Sequence, residues 1–436
     1  MNLLRKMIAV ALTLAAVGIC RAELKIDVSG AMSEPIPMAI PVFSGDSNLN
    51  AQITDIVVAD LERSGLFRLI NRDAYIQKLP DVEARPAFAD WQVLKAEALL
   101  NGAVQQLPDG KIRVSYRLWD VFAQRQMQAK SLTADPDAVR KIAHMVADAV
   151  YERITGETGY FDTQIVFVSE NGPQNKRTKR LAIMDQDGEN VRYLSDGKEM
   201  ALTPRFAPDM KQIAYFSYKG GKPRVYVMDL TTGETALIGQ FQGMSFAPRF
   251  SPDGKKLVMS LAQQGNSDIY VYDLKSKTQK RLTNHPAIDT SPSYDPTGRQ
   301  IVFNSDRGGS QQLYIMDSDG EHVRRISFGE GSYATPVWSP RGDYVAFTKI
   351  KDSVFHIGIM RPDGTGERLI TDGFMVEAPS WAPNGRVLSY VKQTPWDENG
   401  RKGQVRLYAI DVTGYNEHVI LTPEDASGPA WSPLLH

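Results

Sequence analysis

A five-residue motif recurs six times between residues 204 and 433, and its period constrains the fold more than any other feature of the sequence. The motif is proline, any residue, an aromatic residue, a small or acidic residue, and a second proline. Its copies begin 44, 44, 44, 43 and 50 residues apart, at Pro204, Pro248, Pro292, Pro336, Pro379 and Pro429. A period of this length predicts that each repeat is one folded unit, stabilised by its neighbours.

Each repeat carries signals for four short strands. After the motif comes a tight-turn signal such as Asp253-Gly254, although the first copy has Asp209-Met210 instead. An alternating run follows, as at Ile301 to Phe303, and a third run commonly ends in aspartate, as at Tyr272-Asp273. A fourth run ends in an apolar and then a small residue, as at Leu282-Thr283. Four strands at this period predict the blades of a β-propeller.

The partial repeats at the two ends give the number of blades. Three strands, near Ile165 to Ser169, Leu181 to Asp185 and Val191 to Ser195, precede the first motif and match strands two to four of a blade. The last motif, around Trp431, has no strands after it. We therefore predict a six-bladed propeller over residues 159–436, closed by the C-terminal strand, which leaves no open sheet edge.

Residues 23–158 have a different character and predict a small α/β domain. Apolar residues between Leu49 and Leu61 share one helical face. Strand-like runs follow at Leu99 to Gln106 and Ile112 to Trp119, and an apolar helical stripe extends from Val139 to Ile154. Strands with helices packed on one sheet face form a domain of this class.

The first 22 residues have the pattern of a secretory signal peptide. Two basic residues precede the apolar run Met7 to Ile19, and Ala22 offers a small residue for cleavage. The run is too short to span a bilayer, and the alternative is a retained anchor helix. Cleavage removes Cys20, the only cysteine, and three basic residues, which shifts the formal charge from −1 to −4. We find no later segment apolar and long enough to span a membrane.

Composition and motifs argue against nucleic-acid binding and against catalysis. The chain lacks a basic excess, so phosphate binding is not expected. None of the six histidines lies in a metalloprotease motif, and no nucleophile elbow, P-loop or dinucleotide fingerprint is present. His144 is expected at a helix surface or boundary. We predict no catalytic residue, no cofactor and no metal site.

The rival interpretation is a propeller enzyme of lactonase or sugar-processing type with a metal in its channel. Such an enzyme needs carboxylates or histidines that converge at the channel mouth. The positions entering the first strand of each repeat are instead mostly apolar or small: Met200, Met244, Ile288 and Met375 lie four residues before the motif proline.

Large apolar residues at a recurring loop position predict a docking surface for a protein. The candidate residues are Met200, Leu202, Met244, Phe246, Ala247, Ile288, Thr290, Tyr333 and Met375. Phe246 and Tyr333 are the aromatic anchors of this set. The alternative is that these residues plug the channel mouth or pack between blades.

The signal peptide, the mixed domain and the six repeats, up to the closing segment Pro429 to Pro433, together resemble the TolB family. The resemblance covers essentially the whole chain. Members of this family are periplasmic propeller proteins of the Tol–Pal system of Gram-negative bacteria. The resemblance implies that the propeller binds the outer-membrane lipoprotein Pal and that the mature N-terminal segment binds TolA of the inner membrane. It leaves room for other Tol or outer-membrane proteins as partners. The system supports outer-membrane constriction during cell division and the integrity of the envelope.

The TolA-binding segment of the family corresponds here to residues 23–33. Its candidate contact residues are Glu23, Leu24, Lys25, Ile26, Asp27, Val28 and Ser29. An alternating run at a free terminus can pair with its own domain or with the sheet edge of a partner. The segment is therefore either a permanent edge strand or a switch between a docked and a captured state.

Overall fold

The structure is a computed structural model. It describes residues 24, 34–45, 47–79, 81–173, 176–396 and 403–435. The chain divides into two compact units, residues 1–156 and 157–436. Within the described residues, we find no helix with the length and apolar character needed to cross a bilayer.

The amino-terminal unit is a mixed sheet with helices, as the sequence predicts. Its elements are β1 (Ile36–Ala39), β2 (Ser44–Gly45), α1 (Ser47–Arg63), β3 (Phe67–Leu69), α2 (Phe88–Val93), β4 (Ala98–Gln106), β5 (Ile112–Asp120), β6 (Arg125–Ala134) and α3 (Val139–Thr155). The strand order is β3-β1-β4-β5-β6, and β2 pairs with β4. Strand β1 runs parallel to β3 and β4, whereas β4, β5 and β6 are antiparallel.

The two long helices end where the sequence predicts. Helix α1 stops just before Gly65, which has a φ of 73°, and α3 stops before Gly156, which has a φ of 75°. Glycine takes this left-handed conformation without steric penalty, so it terminates helices readily. The apolar stripe of α3, which includes Ile142, Val146 and Val150, is fully buried. Burial of this stripe holds the helix in place.

The expectation for His144 was wrong, because this residue is buried rather than at a surface. Its Nδ1 lies 2.6 Å from Oδ2 of Asp60 in α1, and Arg63 donates to the other oxygen of Asp60 at 2.8 Å. Buried polar groups need such partners. The apolar stripe of α3 does not include His144, and its contact with Asp60 comes from the packing of α1 against α3.

The second unit consists of six four-stranded antiparallel sheets. The first strands in the chain are β7 (Gln164–Asn171), β8 (Thr178–Asp185) and β9 (Arg192–Tyr193). Blades one and two are β10 (Ala201–Phe206), β11 (Gln212–Ser217), β12 (Arg224–Asp229), β13 (Thr235–Leu237), β14 (Met244–Phe250), β15 (Lys256–Gln263), β16 (Asn266–Asp273) and β17 (Gln279–Arg281). Blades three and four are β18 (Asp289–Tyr294), β19 (Gln300–Ser305), β20 (Gln312–Asp317), β21 (Arg324–Arg325), β22 (Ser332–Trp338), β23 (Val345–Lys351), β24 (Val354–Met360) and β25 (Arg368–Gly373). Blade five is β26 (Met375–Trp381), β27 (Val387–Gln393), β28 (Val405–Asp411) and β29 (His418–Ile420), and the last strand is β30 (Asp425–Trp431).

The C-terminal strand completes the blade that the first three strands leave unfinished. Strand β30 pairs with β7, and together with β8 and β9 they form blade six. The register sets Asp425 opposite Glu170 and Trp431 opposite Ile165. The predicted six-bladed propeller closed by its last strand is therefore confirmed.

The apolar core of the propeller lies between its blades. One cluster joins Leu313 and Ile315 of blade three to Trp338 and Phe347 of blade four, and similar clusters join blade six to one, one to two, two to three and four to five. At these junctions each blade covers an apolar face of the next. The ring presents its loops from a packed scaffold.

The direction of the strands sorts the loops onto two faces of the propeller. Successive strands of a blade are antiparallel, so the six inner strands, β10, β14, β18, β22, β26 and β30, all begin at one face. We call this the upper face, and it also carries the turns between second and third strands. The lower face, where the inner strands end, carries the other hairpin turns.

Candidate functional site

The apolar residues predicted at the start of the inner strands lie together on the upper face. Met244 and Met375 are the first residues of β14 and β26, and Met200 directly precedes β10. The exposed fractions of Met200 and Ile288 are 41% and 43%, whereas Met244 and Met375 are half-buried. Partly exposed, flexible methionines provide an adaptable apolar surface.

A groove of about 330 Å³ opens on this face between blades two and three. Phe246, Ile288 and Thr290 line one side, and the β15–β16 turn, residues 262–267, lines the other. The amide of Ile288 donates to Oδ1 of Asp306 at 2.8 Å, which fixes the apolar side chain at the rim. An apolar groove with a fixed rim has the form of a pocket for a partner's side chain.

Tyr333 does not belong to this surface, because it is buried in blade four. Its ring lies 5.2 Å from that of Phe347, and its hydroxyl donates to Oε2 of Glu367 at 2.8 Å. Lys349 donates to the same hydroxyl at 2.7 Å. Burial, and then the carboxylate of Glu367, raise the pKa of Tyr333 above its ordinary value. Tyr333 therefore stabilises the blade, and in this conformation its ring cannot contact a partner protein.

Two other aromatic residues near the upper face are exposed, and the sequence analysis missed them. Phe374, directly before Met375, is 48% exposed, and Phe328, before β22, is 71% exposed. The guanidinium of Arg325 lies 5.3 Å from the ring centroid of Phe328. Exposed aromatics on one face extend the apolar contact area. A search of the whole connection before each inner strand, instead of two fixed positions, would have found them.

Blade six gives the upper face a charged sector. Glu170 accepts from Arg177 at 2.9 Å and from Lys179 at 3.0 Å, and Arg177 also pairs with Asp425. Burial alone would raise the pKa of Glu170, but the hydrogen bond from Ser427 and the charge of Lys179 hold it below its usual range. A charged sector on the same face as an apolar groove orients a partner more than it adds affinity.

Glu377, in the inner strand of blade five, has a raised pKa, in contrast to Glu170. The pKa of this carboxyl is raised by burial, although the charge of Lys179 opposes the shift. The other carboxylates of this sector are held by basic side chains: Glu170 by Arg177 and Lys179, Glu424 by Arg180, and Asp425 by Arg177. Paired carboxylates of this kind are not an open set of metal ligands.

Every inner strand contains a bulge at the residue before the motif proline. These six residues have positive φ values between 47° and 57°: Thr203, Ala247, Ser291, Thr335, Ala378 and Gly428. The strand register shifts at each of them. Non-glycine residues rarely adopt this conformation, so the surrounding ring must hold them in it. The bulges line the central channel, and Ala247, a predicted contact residue, is one of them.

The predicted TolA-binding residues lie almost entirely outside the described residues. Glu23, Lys25, Ile26, Asp27, Val28 and Ser29 are outside them, as is the predicted signal peptide. Leu24 is described and is half-buried.

The chain matches known proteins over nearly its whole length. Residues 24–127 match the TolB amino-terminal domain, and residues 151–435 match the TolB beta propeller domain. The Tol-Pal system protein TolB of Paramagnetospirillum magneticum is 63% identical over 430 residues, which are 98% of this chain and 96% of that protein.

Solved structures show the same similarity at the level of the fold. The crystal structure of TolB from Acinetobacter baumannii matches with a TM-score of 0.82 and 31% identity, over 94% of this chain and all of that one. A chain of the nidogen/laminin complex matches 62% of this chain and 98% of its own length, with a TM-score of 0.50 and 12% identity. That last match concerns the fold alone.

Proposed function

The chain belongs to the TolB family, and on that premise we propose that it is a periplasmic protein-binding scaffold of the Tol–Pal system. In this proposal it links TolA of the inner membrane to the outer-membrane lipoprotein Pal. It thereby supports outer-membrane constriction during cell division and the integrity of the envelope. The 63% identity to a Tol-Pal system protein supports membership of the same system.

The observation that carries the proposal for Pal is the apolar groove on the upper face. The proposed contact residues are Met200, Leu202, Met244, Phe246, Ala247, Ile288, Thr290 and Met375. Phe246 and Ile288 line the groove, and both are accessible in the free protein. A buried aromatic anchor surrounded by flexible apolar residues is the usual composition of a binding hot spot.

The remaining assignments rest on the family and on the sequence pattern. We assign residues 1–22 to a cleaved signal peptide, 23–158 to the amino-terminal domain and 159–436 to the propeller. The division of the chain after residue 156 supports the last boundary. Residues 23–33 are the proposed TolA-binding segment, with contacts from Glu23, Leu24, Lys25, Ile26, Asp27, Val28 and Ser29.

The proposed scaffold performs no catalysis. The carboxylates beside the channel mouth in blade six are engaged by basic residues, as at Glu170 with Arg177 and Lys179. The groove between blades two and three offers apolar contacts, as at Phe246 and Ile288. This arrangement favours recognition of a protein surface over chemistry on a small substrate.

Deletion of residues 23–33 from the mature chain should abolish TolA binding and leave Pal binding measurable. The physical reason is that the deletion removes the alternating segment but leaves every residue that lines the groove. Calorimetric titrations of the intact and shortened chains with the periplasmic domains of TolA and of Pal test this. Unchanged TolA affinity after the deletion would contradict the segment assignment. Failure of the intact chain to bind either partner would contradict the scaffold proposal.

A further inference from the structure

The residue after the first proline of each motif lies along the central channel of the propeller. In chain order these residues are Arg205, Arg249, Ser293, Val337, Ser380 and Ala430. Only the first two are charged, both are positive, and they come from the neighbouring blades one and two. The channel therefore has a one-sided charge at this level.

Two cavities share this stretch of the channel. The narrower has a volume of about 100 Å³ and is lined by the six bulge residues together with Arg205 and Arg249. The wider, of about 450 Å³, opens toward the lower face and is lined by the same two arginines, by the motif aromatics and by Asp295 of blade three. Both arginines thus border cavities that can hold a small guest.

Among the described residues, neither arginine is paired with a carboxylate. Nη1 of Arg205 donates to the carbonyl oxygens of Pro204 at 2.7 Å and Pro429 at 3.4 Å. No ion pair within 4.0 Å involves Arg205 or Arg249 in the part of the chain that the structure describes. Burial lowers the pKa of Arg205 to about 10, so it stays charged at neutral pH. Burial, and then the charge of Arg205, lower the pKa of Arg249. Adjacent like charges in confined space destabilise the ring unless an anion joins them.

A neutral donor lies next to the same space. Thr203 lines the narrow cavity, and its Oγ1 atom is buried and has no hydrogen-bond partner among the described residues. Buried hydroxyls without a partner are uncommon and call for an explanation. An oxygen atom of an anion held between the guanidinium groups would accept from this hydroxyl.

We propose that the channel binds a small oxyanion, a phosphate or a carboxylate, between Arg205 and Arg249. Guanidinium groups recognise both anions through paired, charge-assisted hydrogen bonds. The anion neutralises the mutual repulsion of the two arginines, so its binding also stabilises the ring. This inference does not depend on the proposed partners.

Inorganic phosphate added to the mature chain at constant ionic strength, balanced with chloride, should raise the Tm of the propeller in a saturable way. In the Arg249→Gln variant we expect at least a tenfold loss of phosphate affinity. The matched control Arg368→Gln removes an exposed arginine of β25 and should keep the response. Calorimetric titration with phosphate and with acetate measures the affinities directly.

A second measurement shows whether the Arg249→Gln variant loses phosphate binding because it is unfolded. Without phosphate and at low salt, Arg249→Gln should be at least as stable as the parent, because it removes the like-charge repulsion. Phosphate that weakens Pal binding would identify a partner's carboxylate as the natural anion, whereas unchanged Pal binding would identify a free anion. Equal phosphate responses in the parent and in Arg249→Gln, or no binding of either anion, would overturn the proposal.

Discussion

Removal of residues 429–436 should destabilise the entire propeller and expose the edge at the start of β7. The segment contains two of the five paired residues of β30, Ala430 and Trp431, and both are buried. Nε1 of Trp431 donates to Thr163 at 2.8 Å, and its ring lies 5.9 Å from that of Tyr160. Loss of a buried tryptophan alone costs about 3–5 kcal/mol. That is a large part of the roughly 5–15 kcal/mol by which folded domains are stable.

Thermal unfolding of the parent and the truncated chain, followed by circular dichroism and light scattering, measures this effect. We expect the propeller transition to fall steeply and aggregation to increase, because an unpaired strand edge recruits other chains. Trp431→Ala should reproduce much of the loss. Trp396→Ala is the matched control, because Trp396 is exposed and its removal should change the Tm little. A truncated chain that unfolds at the parental temperature would contradict the assignment of β30 as the strand that holds the ring closed.

Replacement of both Met244 and Phe246 by aspartate should weaken Pal binding by about 100-fold or more, because hot-spot residues contribute roughly 2 kcal/mol or more each. Both residues are half-buried on the upper face, so the new carboxylates stay hydrated in the free protein. In the complex they would lose that hydration against an apolar partner. We therefore expect unchanged thermal unfolding and a loss of affinity in calorimetry with the periplasmic domain of Pal.

The matched control for this pair is Tyr415→Asp. Tyr415 is also exposed, but it lies in the turn between β28 and β29 on the lower face. Its replacement should leave Pal affinity within about twofold, because it touches neither the groove nor its rim. If the control weakened binding as much as the double variant, the docking surface would not be the upper face. If the double variant unfolded, Met244 and Phe246 would be packing residues instead.

The periodic part of the fold is readable from the sequence because one pattern repeats with the same spacing. The run Ile301 to Phe303 lies within β19, and the unpaired motif around Trp431 predicts the closing strand. The predicted apolar positions also reach one face, since they precede inner strands that run in the same direction. Because the pattern is repeated, the same four-stranded unit can be predicted from several separate segments of the sequence.

What escaped prediction depends on contacts between distant residues. His144 meets Asp60 across 84 positions, and Tyr333 is buried with Lys349 of β23 and with Glu367, which directly precedes β25. The left-handed bulge before each motif proline has a glycine signature in only one copy, at Gly428. The other five copies adopt the left-handed conformation because the closed ring imposes it. Their residue types have no local preference for positive φ, so the sequence does not predict the bulge.

The closure of blade six also sets the order in which this protein can be completed. The amide of Gln164 donates to Oγ of Ser432, 268 positions later, and Trp431 lies opposite Ile165. Five blades can form as the chain emerges, but the last junction must wait for the final residues to be synthesised. This delay keeps the ring incomplete until nearly the whole polypeptide is available. A chain that ends before β30 therefore leaves an open ring instead of a slightly smaller closed one.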